Sequence, residues 1–131
     1  MAMYQGRRST YDLTINEEKK VFLAQATGFF DVEDGESFIK DYKRITQTLQ
    51  KDIYTLIINA PELQPSSPQV AEMLGSLLQM YMEVPFKNRI LVTNGNPVTL
   101  MQFKRLGKSI PGWTESVQYV DDYSQALSMV K

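Results

Sequence analysis

Cysteine and histidine are both absent from the 131 residues of this chain. Without cysteine there are no disulfides, thiolate nucleophiles, zinc–thiolate sites or cysteine-ligated iron–sulfur clusters. Without histidine the chain lacks the commonest general base near neutral pH, the usual partner of a nucleophilic serine and the commonest metal ligand. Carboxylates, lysines and tyrosines remain, but no pair of carboxylates stands out from the solvated charges. We therefore expect a protein that is not an enzyme and that holds no cofactor and no metal.

The sequence also lacks a large excess of charge and any long apolar run. Its 14 basic and 15 acidic residues give a formal net charge of -1, so no long-range positive field gathers nucleic acid. Apolar runs such as 56–58 and 90–92 are far too short to span a bilayer. The polar start of the chain carries Arg7 and Arg8 with no apolar segment behind them, unlike a secretory signal. These features favour a cytoplasmic protein with neither nucleic-acid binding nor membrane insertion.

The residues that are present are typical of one globular domain. Hydrophobic residues make up 43% and charged residues 22% of the chain, as in ordinary soluble domains. A chain of this length can bury a sizeable core. The polar, weakly patterned segment 1–10 predicts a flexible N-terminal tail, and 11–131 predicts a single α/β domain.

Hydrophobic periodicity predicts the order of elements in this domain. Period-two patterns and short apolar runs predict strands, whereas apolar residues at i, i+3 and i+4 predict amphipathic helices. The predicted strands are 11–16, 21–27, 54–59, 89–93 and 115–120. The predicted helices are one that Asp31 caps and that extends to residue 49, then 68–83, 97–109, and a last one that Asp121 or Asp122 caps. This order predicts a mixed, mostly parallel sheet of about five strands with an N-terminal hairpin, flanked by four helices.

Two polar segments follow predicted strands at the edge of the sheet where α/β proteins commonly bind ligands. In the first, Ser67 followed by Pro68 is a strong signal for the start of a helix. Ser66 and Ser67 are candidate phosphoacceptors, with helix capping as the simpler interpretation of Ser67. In the second, Asn94, Gly95 and Asn96 form either a turn with a helix cap or a small anion-binding nest.

Other residues leave two interpretations open. The basic residues Lys104, Arg105 and Lys108 either bind an acidic partner or lipid headgroup, or keep the surface soluble and complement a helix dipole. Trp113, the only tryptophan, is either a hydrophobic plug or an exposed anchor at an interface. A set of methionines on the predicted helices either packs in the core or lines an adaptable binding face.

The order of elements and several local motifs resemble the SpoIIAA-like superfamily, which includes STAS domains and anti-sigma-factor antagonists. The resemblance covers nearly all of residues 11–131. Gly-Phe-Phe-Asp at 28–31 is similar to the family segment that opens the first helix, and 120–127 to the last strand and short helix. Leu-Gln-Pro-Ser-Ser-Pro-Gln-Val at 63–70 stands where the family has an Asp-Ser-Ser-Gly motif. Pro65 and Pro68 replace the aspartate and the glycine of that motif, as in a divergent member.

The resemblance implies a non-catalytic interaction or regulatory module that binds a partner protein through its serine loop and second helix. By this resemblance Ser66 and Ser67 are the paired serines, and Ser67 takes the place of the phosphorylated one. The implied partner-binding residues are Leu63, Gln64, Pro65, Ser66, Ser67, Val70, Met73 and Leu74.

A second hypothesis, also suggested by the resemblance, is a carrier or sensor of a small apolar or lipid-like ligand. It predicts a cavity lined by residues such as Phe38, Tyr42, Leu74 and Met101. An internal pocket favours this carrier, whereas a closed core with an exposed apolar patch along 70–82 favours the interaction module. A small enzyme that uses Asp, Glu, Lys or Tyr is the third hypothesis, and a homodimer through the edge strands or the methionine-rich helix is open.

Overall fold

A computed structural model describes residues 2–60, 63–65 and 67–130 of the chain. Within these ranges, strands and helices alternate along most of the sequence. The strands are β1 (Ala2–Gln5), β2 (Ser9–Asn16), β3 (Val21–Phe30), β4 (Thr55–Asn59), β5 (Leu63–Pro65), β6 (Asn88–Val92) and β7 (Val117–Val120). The helices are α1 (Val32–Thr48), α2 (Pro68–Glu83), α3 (Pro97–Gly107), α4 (Trp113–Ser116) and α5 (Tyr123–Ser128), with a 3-10 turn at Lys51–Ile53.

All of these strands belong to one mixed sheet, in the order β1-β2-β3-β4-β6-β7. β1, β2 and β3 are antiparallel neighbours, whereas β3, β4, β6 and β7 run parallel to one another. β3 is long enough to pair twice, with β4 along 21–25 and with β5 along 28–30. The predicted α/β fold, with its N-terminal hairpin and mostly parallel sheet, is confirmed.

The two faces of the sheet are covered unequally. Helices α1, α2 and α3 contribute Phe38, Leu78 and Phe103, among others, to the main core cluster on one face. The opposite face carries a smaller cluster around Ile57 and Ile90, covered by α5. The main core cluster, which lies between the sheet and helices α1, α2 and α3, contains the candidate site.

The structure differs from the tail predicted for residues 1–10. Ala2–Gln5 forms strand β1, and β2 begins at Ser9 rather than at Tyr11. The ring of Tyr4 stacks on that of Tyr11 with 4.8 Å between centroids, and its hydroxyl donates to Asp34 Oδ1 at 2.8 Å. Long-range contacts of this kind order a segment whose own pattern is too short to indicate a strand.

Two shorter elements also fall where the sequence indicates loops. The three residues of β5 pair with β3 beyond the segment that pairs with β4, and β3 is their one partner among the described strands. They include Pro65, and proline, which cannot donate a ladder hydrogen bond, is confined within sheets mainly to such edge strands. Trp113 lies in the single turn α4, and β7 begins at Val117 instead of Glu115. Elements of three or four residues are too short for a periodic signal.

Asp34 joins the N-terminal hairpin to the first turn of α1. Its backbone N–H donates to Asp31 Oδ1 at 3.1 Å, and the Asp31 N–H donates to Asp34 Oδ2 at 3.0 Å, which completes a capping box. Burial favours a higher pKa for this carboxyl, but the hydrogen bonds from the Asp31 backbone and the Tyr4 hydroxyl outweigh it and lower the pKa below its usual value. The Asp34 carboxylate in turn raises the pKa of Tyr4 to about 12.

Asp34→Asn is expected to lower the free energy of unfolding at pH 7 by about 1–2 kcal/mol, because the hydrogen bonds from the Asp31 N–H and the Tyr4 hydroxyl lose their charged acceptor. Because the pKa of Asp34 is lower in the folded than in the unfolded state, its stabilising effect is complete above about pH 4 and is lost as the pH falls through the folded value. Urea unfolding at pH 7 and pH 3 measures both effects, with the exposed Asp52→Asn as control. A difference between Asp34→Asn and wild type that is equally large at both pH values contradicts this role.

Candidate functional site

An apolar cavity lies between the sheet and helices α1 and α2. β3 and β4 form its floor, α1 and α2 form its walls, and one residue of α3 closes it. We call it the α1–α2 cavity. Its lining residues are Ala24, Ala26, Phe30, Gly35, Phe38, Ile39, Ile58, Ala60, Val70, Met73, Leu74, Leu77, Tyr81 and Phe103.

Small residues at positions that face the core create this cavity. Ala24 and Ala26 project from the same face of β3, because strand residues two apart share a face, and both are buried. Ala60 follows β4 on the same floor, and Gly35 lies in the first turns of α1. Larger side chains at these four positions would fill the space between the sheet and the helices.

The cavity is narrow inside and open at one side. Its volume is about 50 Å³. Gly35, Ile39 and Met73 are the partly exposed members of its lining, and the other members are buried. The mouth therefore lies between α1 and α2, at these three residues.

The walls carry hydrocarbon and aromatic groups and the thioether of Met73. The residues that line the cavity include no charged side chain, and Tyr81 is the one with a hydroxyl group. A site of this composition holds apolar groups and provides neither a general base nor a nucleophile of ordinary reactivity. Burial raises the pKa of Tyr81 well above its usual value, so this hydroxyl stays protonated.

The predicted partner-binding residues on α2 face inward. Val70 and Leu74 are only 4% and 8% exposed and line the cavity, and Met73 lies at its mouth. The helix turns its apolar stripe towards the sheet, as amphipathic helices do, so Val70 and Leu74 offer little side-chain surface to a partner, whereas Met73 is half-buried. Partner binding through these three residues stays a prediction.

The rest of the predicted docking segment lies on or next to β5. Leu63, Gln64 and Pro65 form this strand, and the side chain of Gln64 is exposed. Ser66 lies outside the described residues. Ser67 is the N-cap of α2, and its hydroxyl oxygen accepts a hydrogen bond from the Val70 N–H at 3.3 Å. This confirms the capping role of Ser67, while its phosphorylation stays a prediction.

The segment Asn94, Gly95 and Asn96 forms a turn and a cap. Asn94 and Gly95 have positive φ angles of 55° and 71°, and the Asn96 N–H donates to the Thr93 carbonyl at 3.0 Å. The Asn96 side-chain oxygen accepts from the N–H of Val98 at 3.0 Å and of Thr99 at 3.3 Å. The N–H groups of Asn96, Val98 and Thr99 are thus engaged within the turn and the helix start, and anion binding stays a prediction.

Two of the four residues expected to line a ligand cavity do so. Phe38 and Leu74 are in the lining. Tyr42 is buried beside the cavity residue Tyr81, with 5.2 Å between ring centroids, but is not itself in the lining. Met101 is 70% exposed on α3, so its expected position is wrong. The α3 residue that reaches the cavity is Phe103, two positions further along the helix.

The structure decides between the two interpretations of Trp113, but it does not test partner binding by the basic residues of α3. Trp113 is 1% exposed and donates from its indole N–H to the Tyr119 hydroxyl at 2.8 Å, so it is a hydrophobic plug. The ammonium of Lys104 lies 5.4 Å from the centre of the Tyr119 ring, and Arg105 and Lys108 are exposed. An acidic partner or a lipid headgroup at these basic residues stays a prediction.

Tyr42 carries a buried hydroxyl with no hydrogen-bond partner among the described residues. Burial raises the pKa of this phenol, so the group stays neutral. We expect Tyr42→Phe to leave the free energy of unfolding unchanged or to raise it by about 1 kcal/mol, since the desolvated hydroxyl is removed while the ring stays. Thermal or urea unfolding measures this effect, and Tyr11→Phe is the contrasting variant because the Tyr11 hydroxyl donates to Asp41 at 2.5 Å. A loss for Tyr42→Phe as large as that for Tyr11→Phe contradicts the assignment.

The described part of the chain offers neither an acidic metal site nor a membrane-spanning helix. Among these residues no group of three or more acidic side chains is arranged to hold a metal ion. None of the helices within 2–60, 63–65 and 67–130 is both long and apolar enough to cross a membrane.

The sheet order, the hairpin and the helical layers define an α/β protein with a SpoIIAA-like fold. One similar solved structure is the crystal structure, at 2.25 Å resolution, of an uncharacterized protein from the DUF3478 family with a SpoIIAA-like fold, from Shewanella loihica PV-4. The two chains are 15% identical and align with a TM-score of 0.69 over 99% of this chain and 100% of that one. No family model and no curated protein matches this sequence.

Proposed function

We propose that this protein binds a small apolar or lipid-like ligand in the α1–α2 cavity and acts as a carrier or sensor of that ligand. The observation that carries the proposal is the cavity itself: an uncharged lining of which most members are buried, with an open mouth between two helices. Natural interiors are close-packed, so a space of this kind along a core layer requires an explanation. A ligand that fills it regains the dispersion contacts that the empty lining lacks.

The same observation weighs against a docking role for the face of α2. The apolar stripe of α2, including Val70, Leu74 and Leu77, is buried against the cavity and the sheet. A protein partner cannot reach these residues while the helix stays in place. Ligand binding therefore accounts for more of the structure than a serine-loop interaction does.

The experiment is a ligand search followed by mapping. The purified protein is extracted with organic solvent, and mass spectrometry identifies apolar molecules that copurify with it. The delipidated protein is then titrated with a panel of linear, cyclic and aromatic compounds while amide and methyl NMR spectra are recorded. We expect shifts at Ala26, Phe38 and Leu74 in the lining and none at Ala126 on the opposite face of the sheet. If no compound perturbs the lining residues, the proposed function is wrong.

A further inference from the structure

Helix α3 has an inner and an outer face of opposite character. Its inner face buries Thr99, Phe103 and Gly107, and Phe103 reaches the α1–α2 cavity. Its outer face presents two large apolar side chains to solvent, because Val98 is 69% and Met101 is 70% exposed. Residues three apart on a helix are neighbours. The two side chains therefore form one exposed apolar patch, which marks an interaction site more strongly than scattered single residues do.

The same outer face continues with basic side chains. Lys104, Arg105 and Lys108 are exposed, and within the described ranges none of the three takes part in an ion pair. At about 100° per residue, these three cations, Val98 and Met101 lie within an arc of about 120° around the helix axis. We call these five residues the α3 surface.

The charge around the α3 surface has one sign, although the whole chain has a formal net charge of -1. Residues 84–114 contain no aspartate or glutamate, so all 15 acidic residues lie outside this segment. Arg89, in the same segment, is already engaged, because its guanidinium donates to the carbonyls of Tyr81 and Val84. The three cations of the α3 surface are therefore a basic group that no acidic residue of their own segment neutralises.

From this arrangement we propose that the α3 surface binds to the surface of a membrane that contains anionic lipids. The three cations are attracted by the negative headgroups. Val98 and Met101 enter the boundary between the headgroups and the acyl chains, as the apolar residues of interfacial helices do. The helix lies along the membrane and does not cross it. The proposal goes beyond the ligand of the α1–α2 cavity, because it concerns the outer and not the inner face of α3.

An acidic protein partner accounts for the cations but not for the rest of the α3 surface. A specific protein interface covers about 800 Å² on each partner, whereas this surface is one face of a helix and extends about 15 Å from Val98 to Lys108. A strongly acidic protein would also place polar groups against Val98 and Met101. An anionic bilayer offers negative headgroups and apolar chains together, and therefore matches both parts of the surface.

Sedimentation with lipid vesicles tests the proposal on the wild-type protein. Vesicles of phosphatidylcholine alone are compared with vesicles in which about 30% of the lipid is phosphatidylserine. We expect binding to the anionic vesicles to be at least about tenfold tighter. We also expect it to weaken when NaCl is raised from about 0.1 M to about 0.5 M, because salt screens the attraction. Equal binding to the two kinds of vesicle, or binding to neither, overturns the proposal.

Two double variants test the basic part of the α3 surface. Arg105→Gln/Lys108→Gln is expected to weaken binding to the anionic vesicles at least about tenfold, since each cation near such a leaflet contributes about fivefold. Lys40→Gln/Lys43→Gln is the matched control, because it removes two exposed charges from α1, and its affinity is expected to stay within about threefold of wild type. Equal losses in the two double variants would show that total charge and not the α3 surface determines binding, and would overturn the proposal.

Two methionine variants test the apolar part against an acidic macromolecule as the partner. Met101→Gln is expected to weaken binding to the anionic vesicles at least about threefold, because binding at an interface increases with the apolar area that is buried. Met3→Gln makes the same change at a methionine that is 77% exposed on β1, and is expected to bind as wild type does. If Met101→Gln also binds as wild type does, the contact is electrostatic alone, and an acidic partner replaces the membrane.

A further variant separates the α3 surface from the α1–α2 cavity, since a vesicle lipid could also enter a cavity for apolar ligands. Ala26→Val adds carbon atoms to the lining of the cavity and leaves the outer face of α3 unchanged. We expect its binding to the anionic vesicles to equal that of wild type. Loss of vesicle binding in a folded Ala26→Val protein would place the lipid in the cavity and overturn the assignment to the α3 surface.

Discussion

Gly107→Ala is expected to lower the free energy of unfolding by about 3 kcal/mol, at the upper end of the range for overpacking a core, and the midpoint of thermal unfolding by about 10 °C. Gly107 is buried at the end of α3, directly against the five-membered ring of the Trp113 indole. A Cβ at this position would overlap the indole ring well inside van der Waals contact. The ring cannot move away freely, because it is only 1% exposed and its N–H donates a hydrogen bond to the Tyr119 hydroxyl.

Urea unfolding followed by the fluorescence of Trp113 measures this effect, since the chain has one tryptophan. Gly75→Ala makes the same chemical change at an uncrowded helix position, where alanine is favoured over glycine by about 1 kcal/mol. We therefore expect the two variants to change stability in opposite directions. A Gly107→Ala protein at least as stable as wild type would show that Trp113 is not held where the structure places it.

The architecture could be predicted from the sequence because its long elements have strong local signals. The apolar run of β4, the cap at Ser67 with Pro68, and the stripe on α1 each indicate one structure through one short-range rule. β1 has no such signal. Its order depends on the contact of Tyr4 with Asp34, 30 residues further along the chain, and a local pattern does not contain that contact.

The candidate site was harder to predict because a cavity is made by side chains that are too small. In a single sequence, an alanine at a core-facing strand position looks the same whether its neighbours fill the space around it or leave a cavity, as at Ala24 and Ala26. A signal was nevertheless present: two alanines two residues apart on β3, with a glycine shortly afterwards at Gly35 on α1. The expectation about Met101 failed because helical periodicity alone cannot decide between residues near the edge of an apolar stripe.

Ala26→Val is expected to weaken ligand binding at least about tenfold, measured with the compound of the titration panel that binds the wild-type protein most tightly, while the protein stays folded. Ala26 is 6% exposed on the floor of the α1–α2 cavity. Two added carbon atoms occupy much of the enclosed 50 Å³. The free energy of unfolding is expected to equal or exceed that of wild type by up to about 1 kcal/mol, since each buried carbon contributes about 0.8 kcal/mol and valine suits a strand.

Gln25→Val provides the matched control, because it introduces the same side chain one residue earlier on β3, at an exposed position on the opposite face. Calorimetric titration and urea unfolding of both variants separate a filled cavity from a damaged fold. Loss of binding together with unchanged or increased stability in Ala26→Val has one physical cause, the replacement of ligand volume by protein volume. A folded Ala26→Val protein with wild-type affinity would show that the ligand binds elsewhere. A loss of affinity in Gln25→Val as well would indicate that β3 as a whole, and not its cavity face, determines binding.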